Sequence, residues 1–322
     1  MAIVSKDVLE QLLIEGGIEY VNIFPEGRRI IGLPILMGTA INFLRTLWRL
    51  LKLVKGRKYN VFITDDVLAV VGRIKGVPTL MFTDDDIDVV PESRLLLASA
   101  SKILAPEITE IGKYQRKKIA LKGFKEVAYL SPSYFTPSEK VLQRFNPGLK
   151  PYAIVRLVSL TASHDIGKNG IGDIRLKQLV ELLEKKMCVF ITSERALPKE
   201  WEKYRLTLPV HEIAHALFYA QLYVGDSQTM ASEAAILGTP VVRFNDFVGK
   251  IRSMEIKQEK YGLMPGFTTN HFDDMLNTIE EMLKQPNLKA HWQDKAQQLL
   301  NDCEDVNEAI RKAILNTAAL KR

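Results

Sequence analysis

Residues 222–245, LYVGDSQTMASEAAILGTPVVRFN, constrain the fold of this chain more than any other stretch. Leu222–Val224 are a short apolar run of strand type. Gly225, Asp226 and Ser227 form a polar turn. Thr229–Leu237 are small and apolar, suited to a helix lying close on a sheet. Gly238 and Pro240 end that helix, and Val241–Phe244 begin the next strand. A strand that enters a helix through such a turn aims backbone N–H groups and the positive helix end at one point, which suits a phosphate. Glu233 lies about one and a half turns into the helix. A carboxylate there accepts hydrogen bonds from neutral hydroxyls such as those of a ribose.

The same alternation runs through the chain, whose 322 residues are enough for two domains. Val61–Ile63, Thr79–Phe82 and Lys102–Leu104 read as buried strands of an N-terminal sheet, with helices over 5–15, 35–55 and 66–75. Tyr152–Val158, Cys188–Thr192, Leu222–Val224 and Val241–Phe244 read as strands of a second sheet. Helices are expected over 173–186, 211–220, 229–237, 272–284 and 304–320. The fold class is therefore α/β, with parallel sheets covered by helices on both faces. Residues 131–150 carry the prolines and serines of a linker. The expected division is an N-terminal domain over 1–147, a C-terminal domain over 148–303 that carries the strand–turn–helix, and a final helix, 304–322, packing back on the first domain. Ligand is expected at the C-terminal ends of the strands, in the cleft between domains.

The segment GDSQTMASEAAILGTPVV resembles the nucleotide-sugar motif of GT-B glycosyltransferases and of non-hydrolysing UDP-N-acetylglucosamine 2-epimerases. Asp226, Ser227, Glu233, Ala234, Leu237, Gly238 and Pro240 match the epimerase pattern. Gln228 and Thr229 replace its paired glycines, and Ser232 replaces the first of its two glutamates. The longer series VRLVSLTASHD, VFITSE, GDSQTMASEAAILGTP and EKYGL resembles a GT-B-like archaeal and bacterial family of unknown function, domain of unknown function family 354. The resemblance implies two Rossmann-like domains, the first lacking its initial strand and helix, since MAIVSKDVLEQLL resembles the end of a second strand and its adjoining helix. It implies a nucleotide-diphosphate sugar donor, UDP-linked, with phosphate contacts at Ser227, Gln228 and Thr229 and a ribose contact at Glu233, beside Asp226. It further implies glycosyl transfer to an unidentified acceptor in cell-surface polysaccharide synthesis. The alternatives are a sugar-nucleotide epimerase and a non-catalytic binding or assembly protein.

Other constellations fall around this motif. Arg156 lies in the first strand of the second domain, and the loop after that strand carries Ser163, His164 and Asp165. Arg156 is a candidate bidentate phosphate partner, Ser163 a further donor-site contact, and His164 a proton-transfer or phosphate-orienting group. Thr83-Asp84-Asp85-Asp86-Ile87-Asp88 follows a strand of the first domain, and Asp84 and Asp86 are candidate bases toward an acceptor hydroxyl. The competing account is a capping turn. Residues 35–58 mix Phe43, Leu44, Leu47 and Trp48 with Arg45, Arg49, Lys52, Lys55, Arg57 and Lys58. Charges interrupt this run too soon for a membrane span, but it suits peripheral contact with an anionic membrane surface.

Composition narrows the rest. Net charge is +6, and no arginine-rich tract with interleaved aromatics appears, so no nucleic-acid partner is expected. Two cysteines far apart in sequence fit a reducing, cytoplasmic setting, with peripheral placement at the inner face of a membrane. No cofactor or metal is expected. His211-Glu-Ile-Ala-His215 formally matches a zinc-protease helix, but Pro209 puts His211 at the helix start, and the segment is explained as one strand–helix–strand step. Protein purified without chelator should carry well under one zinc per chain; stoichiometric zinc lost on His215→Ala would make the protease reading the better one.

Overall fold

A computed structural model describes residues 1–4, 9–27, 35–90, 93–158 and 170–320, with the backbone alone for 35–36. The chain divides into two compact units, Met1–Leu121 with Asn307–Arg322, and Lys122–Val306. Residues 122–147, assigned from sequence to the first domain, thus belong to the second unit. The reason lies in their contacts there. The Lys122 N–H bonds to the Glu304 carboxylate at 2.8 Å, Phe124 lies 3.9 Å beneath the Lys257 ammonium, and Tyr129 reaches Glu233.

In the first unit β1 (Ala2–Ile3), α1 (Leu9–Glu15) and β2 (Val21–Asn22) make a two-stranded parallel pair. After α2 (Ile35–Leu53) come β3 (Phe62–Thr64), α3 (Leu68–Lys75), β4 (Thr79–Phe82), α4 (Arg94–Ser99), β5 (Lys102–Pro106) and β6 (Lys118–Leu121). Strands β3 to β6 form a parallel sheet in sequence order. Helix α3 lies so close to β4 that a Cβ on Gly72 would stand 1.9 Å from Thr79 Oγ1. Gly76, at φ 63°, then ends the helix in the left-handed region. Phe24, Leu50, Val54, Phe62, Val67 and Val71 share one apolar cluster, and Met81, Leu97, Ile103 and Ile111 another.

The second unit runs α5 (Val127–Leu130), α6 (Glu139–Phe145), β7 (Tyr152–Leu157), α7 (Asp173–Glu184), β8 (Cys188–Ser193), α8 (Ile213–Tyr219), β9 (Leu222–Gly225), α9 (Gln228–Ile236), β10 (Val241–Phe244), α10 (Arg252–Glu259), β11 (Gly266–Phe267), α11 (Phe272–Lys284) and α12 (Leu288–Asp302). Helix α13 (Val306–Ala318) comes last in the chain and, from Asn307 on, belongs to the first unit. The sheet is parallel throughout, in the order β11-β10-β9-β7-β8. The chain steps from β7 to β8 on one side, then returns to lay β9 on the other. In a sheet of this kind the crevice outside the carboxyl ends of the two strands flanking that reversal is the ligand site. Here those ends are Leu157 and Gly225.

Next to the crevice a guanidinium is buried completely. Arg243, on β10, donates to both Glu255 oxygens at 3.1 and 3.2 Å and to Gln228 Oε1 at 3.2 Å. Such a pair adds little to stability relative to apolar residues, but losing one partner leaves a charge in the interior. Glu255→Ala should therefore destabilise the protein by about 3–5 kcal/mol, read from the shift of the urea midpoint. A loss below about 0.5 kcal/mol, the surface-substitution range, would show that the guanidinium is not held as described.

Candidate functional site

Position 225 fixes the floor of the crevice. Gly225 sits beside Arg156 in the β7–β9 register, and Thr192 of β8 lies on the other side of Arg156. A Cβ on Gly225 would stand 2.7 Å from Tyr223 Oη and 2.8 Å from Arg156 Cβ, so only glycine lets the strands close here. Arg156 donates from Nη1 to Thr192 Oγ1 at 2.8 Å and from Nη2 to Glu194, while its buried Nε has no partner among the described residues. It is thus a half-buried cation at the crevice, already countered by one carboxylate.

Asp226 follows Gly225 and turns its side chain inward. It is buried, and its two oxygens accept the Val158 N–H at 2.7 Å and the Ile171 N–H at 3.2 Å. A Cβ on Gly170 would come within 2.3 Å of Asp226 Oδ2. Arg195 donates to the Ile171 carbonyl. The carboxylate therefore clasps the two ends of the segment that joins β7 to α7. Burial raises its pKa to about 6, against the lowering effect of those N–H donors. The expected donor contact at Asp226 is in the structure a contact to backbone. Ser163 and His164 belong to the clasped segment and lie outside the described residues.

Ser227 caps α9, its Oγ accepting the Met230 N–H at 3.3 Å. The amides of Gln228 and Thr229 find no acceptor among the described residues. Thr229 is exposed. The Gln228 side chain points away from the helix end: its Nε2 donates to Asn245 Oδ1 at 2.9 Å and its Oε1 accepts from Arg243. Asn245, fully buried, closes the network by donating to the Asp226 carbonyl at 3.0 Å. The glutamine in place of glycine thus leaves the helix N-terminus open.

Glu233 lies farther along α9. Its Oε1 accepts the Tyr129 hydroxyl at 2.9 Å, and no partner of its other oxygen appears among the described residues. Burial pushes its pKa up to about 7, and the nearby Glu126 carboxylate adds to the rise while Tyr129 opposes it. Ser232 is fully buried, its hydroxyl without a partner among the described residues, so the first glutamate of the epimerase pattern has no substitute at that position.

The remaining candidates lie on other elements. Asp86 is buried, and its Oδ1 accepts the Glu110 N–H at 2.7 Å. That bond ties the loop after β4 to the segment after β5. Asp84 and Asp65 line a cleft of about 220 Å³ in the first unit with Thr83, Asp85 and Ser93. His211 sits on a short 3-10 turn, Val210–Glu212, and His215 on α8. His215 Nδ1 accepts the Ser138 N–H at 3.2 Å, and Glu212 pairs with Arg144. No group of three or more metal-ligating side chains occurs among the described residues.

Residues 35–314 match a protein family described as a protein of unknown function, DUF354. The chain belongs to the DUF354 family. No curated protein matches its sequence. The DUF354 chain is similar in structure to a UDP-GlcNAc 2-epimerase from Neisseria meningitidis bound to UDP-GlcNAc, with 13% identity over 96% of this chain and 89% of that one and a TM-score of 0.66. It is likewise similar to Os79 from O. sativa, solved with U2F and trichothecene, with 13% identity over 98% and 93% and a TM-score of 0.65. CalG4, the calicheamicin glycosyltransferase, gives 10% identity over 99% and 91% and a TM-score of 0.60. These likenesses establish a GT-B-like fold for the DUF354 chain.

Sequence reasoning did not anticipate Tyr129, Arg243, Asn245 or Glu255. Tyr129 is 104 residues from Glu233, with no local signal to connect them. An arginine inside the apolar run VVRFN was the one cue to the buried network. Glu233 should titrate near neutrality. Its folded pKa lies above the ordinary 4.5, so its contribution to stability is complete below about pH 4.5 and lost as pH rises through about 7. Glu233→Gln should thus gain on the order of 1–3 kcal/mol over the wild type between pH 5 and 8. Tyr129→Phe should move the wild-type transition upward. Parallel stability–pH curves for wild type and Glu233→Gln would overturn this assignment.

Proposed function

We propose that the second unit binds a nucleotide-diphosphate sugar, UDP-linked, and that the protein is a glycosyltransferase. The observation that carries this is the open N-terminus of α9. The amides of Gln228 and Thr229, without an acceptor among the described residues, stand at the β7/β9 reversal, where a parallel sheet of this topology binds ligands. The diphosphate sits there, against the helix dipole and the Ser227–Thr229 turn. The ribose hydroxyls donate to the Glu233 oxygen that Tyr129 leaves open. Arg156 supplies a positive charge to the diphosphate, sharing it with Glu194.

The reaction is transfer of the sugar from the departing diphosphate to an acceptor hydroxyl. Charge builds on the diphosphate as the glycosidic bond breaks. Preorganised amides, the helix end and Arg156 stabilise that charge. In the first unit Asp84 is the candidate to take the acceptor proton. The UDP-GlcNAc complex of the Neisseria meningitidis relative supports the donor class. Epimerase chemistry is disfavoured by Ser232, which turns a hydroxyl into the interior where that pattern has a carboxylate.

Calorimetry in the presence of EDTA should show UDP or a UDP-sugar binding. Glu233→Ala should weaken that binding by about 1.5–3 kcal/mol, the scale of a hydrogen bond to a charged group. No binding by UDP, GDP or TDP nucleotides would remove the proposal. Equal affinity in wild type and variant would remove Glu233 from the ribose. Turnover across a panel of UDP-sugars separates a transferase from a binding protein.

A further inference from the structure

Helix α2 has an apolar face that its own core does not use. Its inner side packs Leu50, with Val54 just past its end, against Phe24, Phe62 and Val71. A surface helix normally has this one stripe and is polar elsewhere. Yet Met37, Ile41, Leu44 and Trp48 are 55%, 37%, 62% and 63% exposed. Their spacing of four, three and four puts them on one side of the helix, along about 16 Å of its axis.

The charges around this stripe are sorted. Arg45 and Arg49 turn inward: both bond to Glu26, at 3.2 and 2.6 Å, and both lie over the Phe24 ring. The sequence had grouped them with the surface charges of this segment. Lys52 stays outside, 5.5 Å over the Trp48 ring. Lys55, Arg57 and Lys58 come next, exposed and without an ion pair among the described residues. No acidic residue lies between Glu26 and Asp65. The outer face is therefore apolar along its length, basic at its C-terminal end and free of acids.

We infer that this face of α2 lies in the surface of an anionic lipid bilayer, parallel to its plane. Aliphatic side chains and an indole enter the acyl boundary, and the basic cluster meets the headgroups. The helix does not cross the bilayer; no helix among the described residues is long and apolar enough to do so. A second copy packed with its α2 parallel to this one would set the two basic clusters side by side, against like charge. A single convex helix face also suits a deformable surface better than a preformed groove.

Sedimentation of the full chain with vesicles tests this, using phosphatidylcholine with and without phosphatidylglycerol. Binding is expected only to the anionic vesicles, falling at least tenfold from about 0.05 to about 0.5 M salt. Lys55→Gln with Lys58→Gln should weaken it by roughly tenfold or more, and Leu44→Glu should abolish it with an unchanged melting curve. Trp201 and Trp292 are buried, so quenching of the wild-type emission by brominated lipid reports Trp48 without any substitution. Absence of binding at low salt, equal binding to neutral vesicles, or no quenching would each overturn the inference. So would a stable dimer in solution that Leu44→Glu dissociates.

Discussion

The Asp226 carboxylate holds together the parts on which the candidate site depends. It accepts one N–H from Val158, just past β7, and one from Ile171, just before α7, while its own carbonyl takes the Asn245 amide from beyond β10. Three segments from distant parts of the chain are thereby fixed to the strand–helix turn. The bonds cost the group its solvent, and burial raises its pKa accordingly. A side chain that matches the motif is here engaged with backbone.

The same logic explains the departure at Gln228. A glutamine in place of a glycine brings an amide that needs two kinds of partner. Arg243 supplies the donor and Asn245 the acceptor. Arg243 in turn is neutralised by Glu255. This chain of contacts runs away from the helix end and into the sheet. The amides at the N-terminus of α9 are left without an acceptor among the described residues.

Much of the fold was legible because long runs of β-type apolar residues alternated with helical ones. The second-sheet strands β7, β8, β9 and β10 stand within a residue of where the apolar runs put them, and α11 spans the expected residues. Strand β11 escaped notice because two residues carry no periodicity; it exists only because β10 offers an edge. Helix α12 escaped because its polar face is broad and its buried residues are few, Trp292, Ala296 and Leu299. Residues 122–147 looked like the end of the first domain, yet Lys122, Phe124 and Tyr129 find their partners in the second unit. Asp86 looked like a cleft carboxylate, but the Glu110 backbone claims it.

The sequence by itself determined the α/β class, the strand–turn–helix that opens α9, and the short list of polar residues around it. Those depend on local periodicity and turn chemistry, which act between residues a few positions apart. Tertiary structure decided which strands are neighbours, and so where the chain reverses between β7 and β9. It also decided which way each polar side chain points: Asp226 to backbone, Gln228 to Arg243 and Asn245, Glu233 to Tyr129. On α2 it turned Arg45 and Arg49 to Glu26 and left Trp48 outside. These outcomes depend on burial and on partners up to a hundred residues away, where the cost of an unsatisfied buried group decides the geometry.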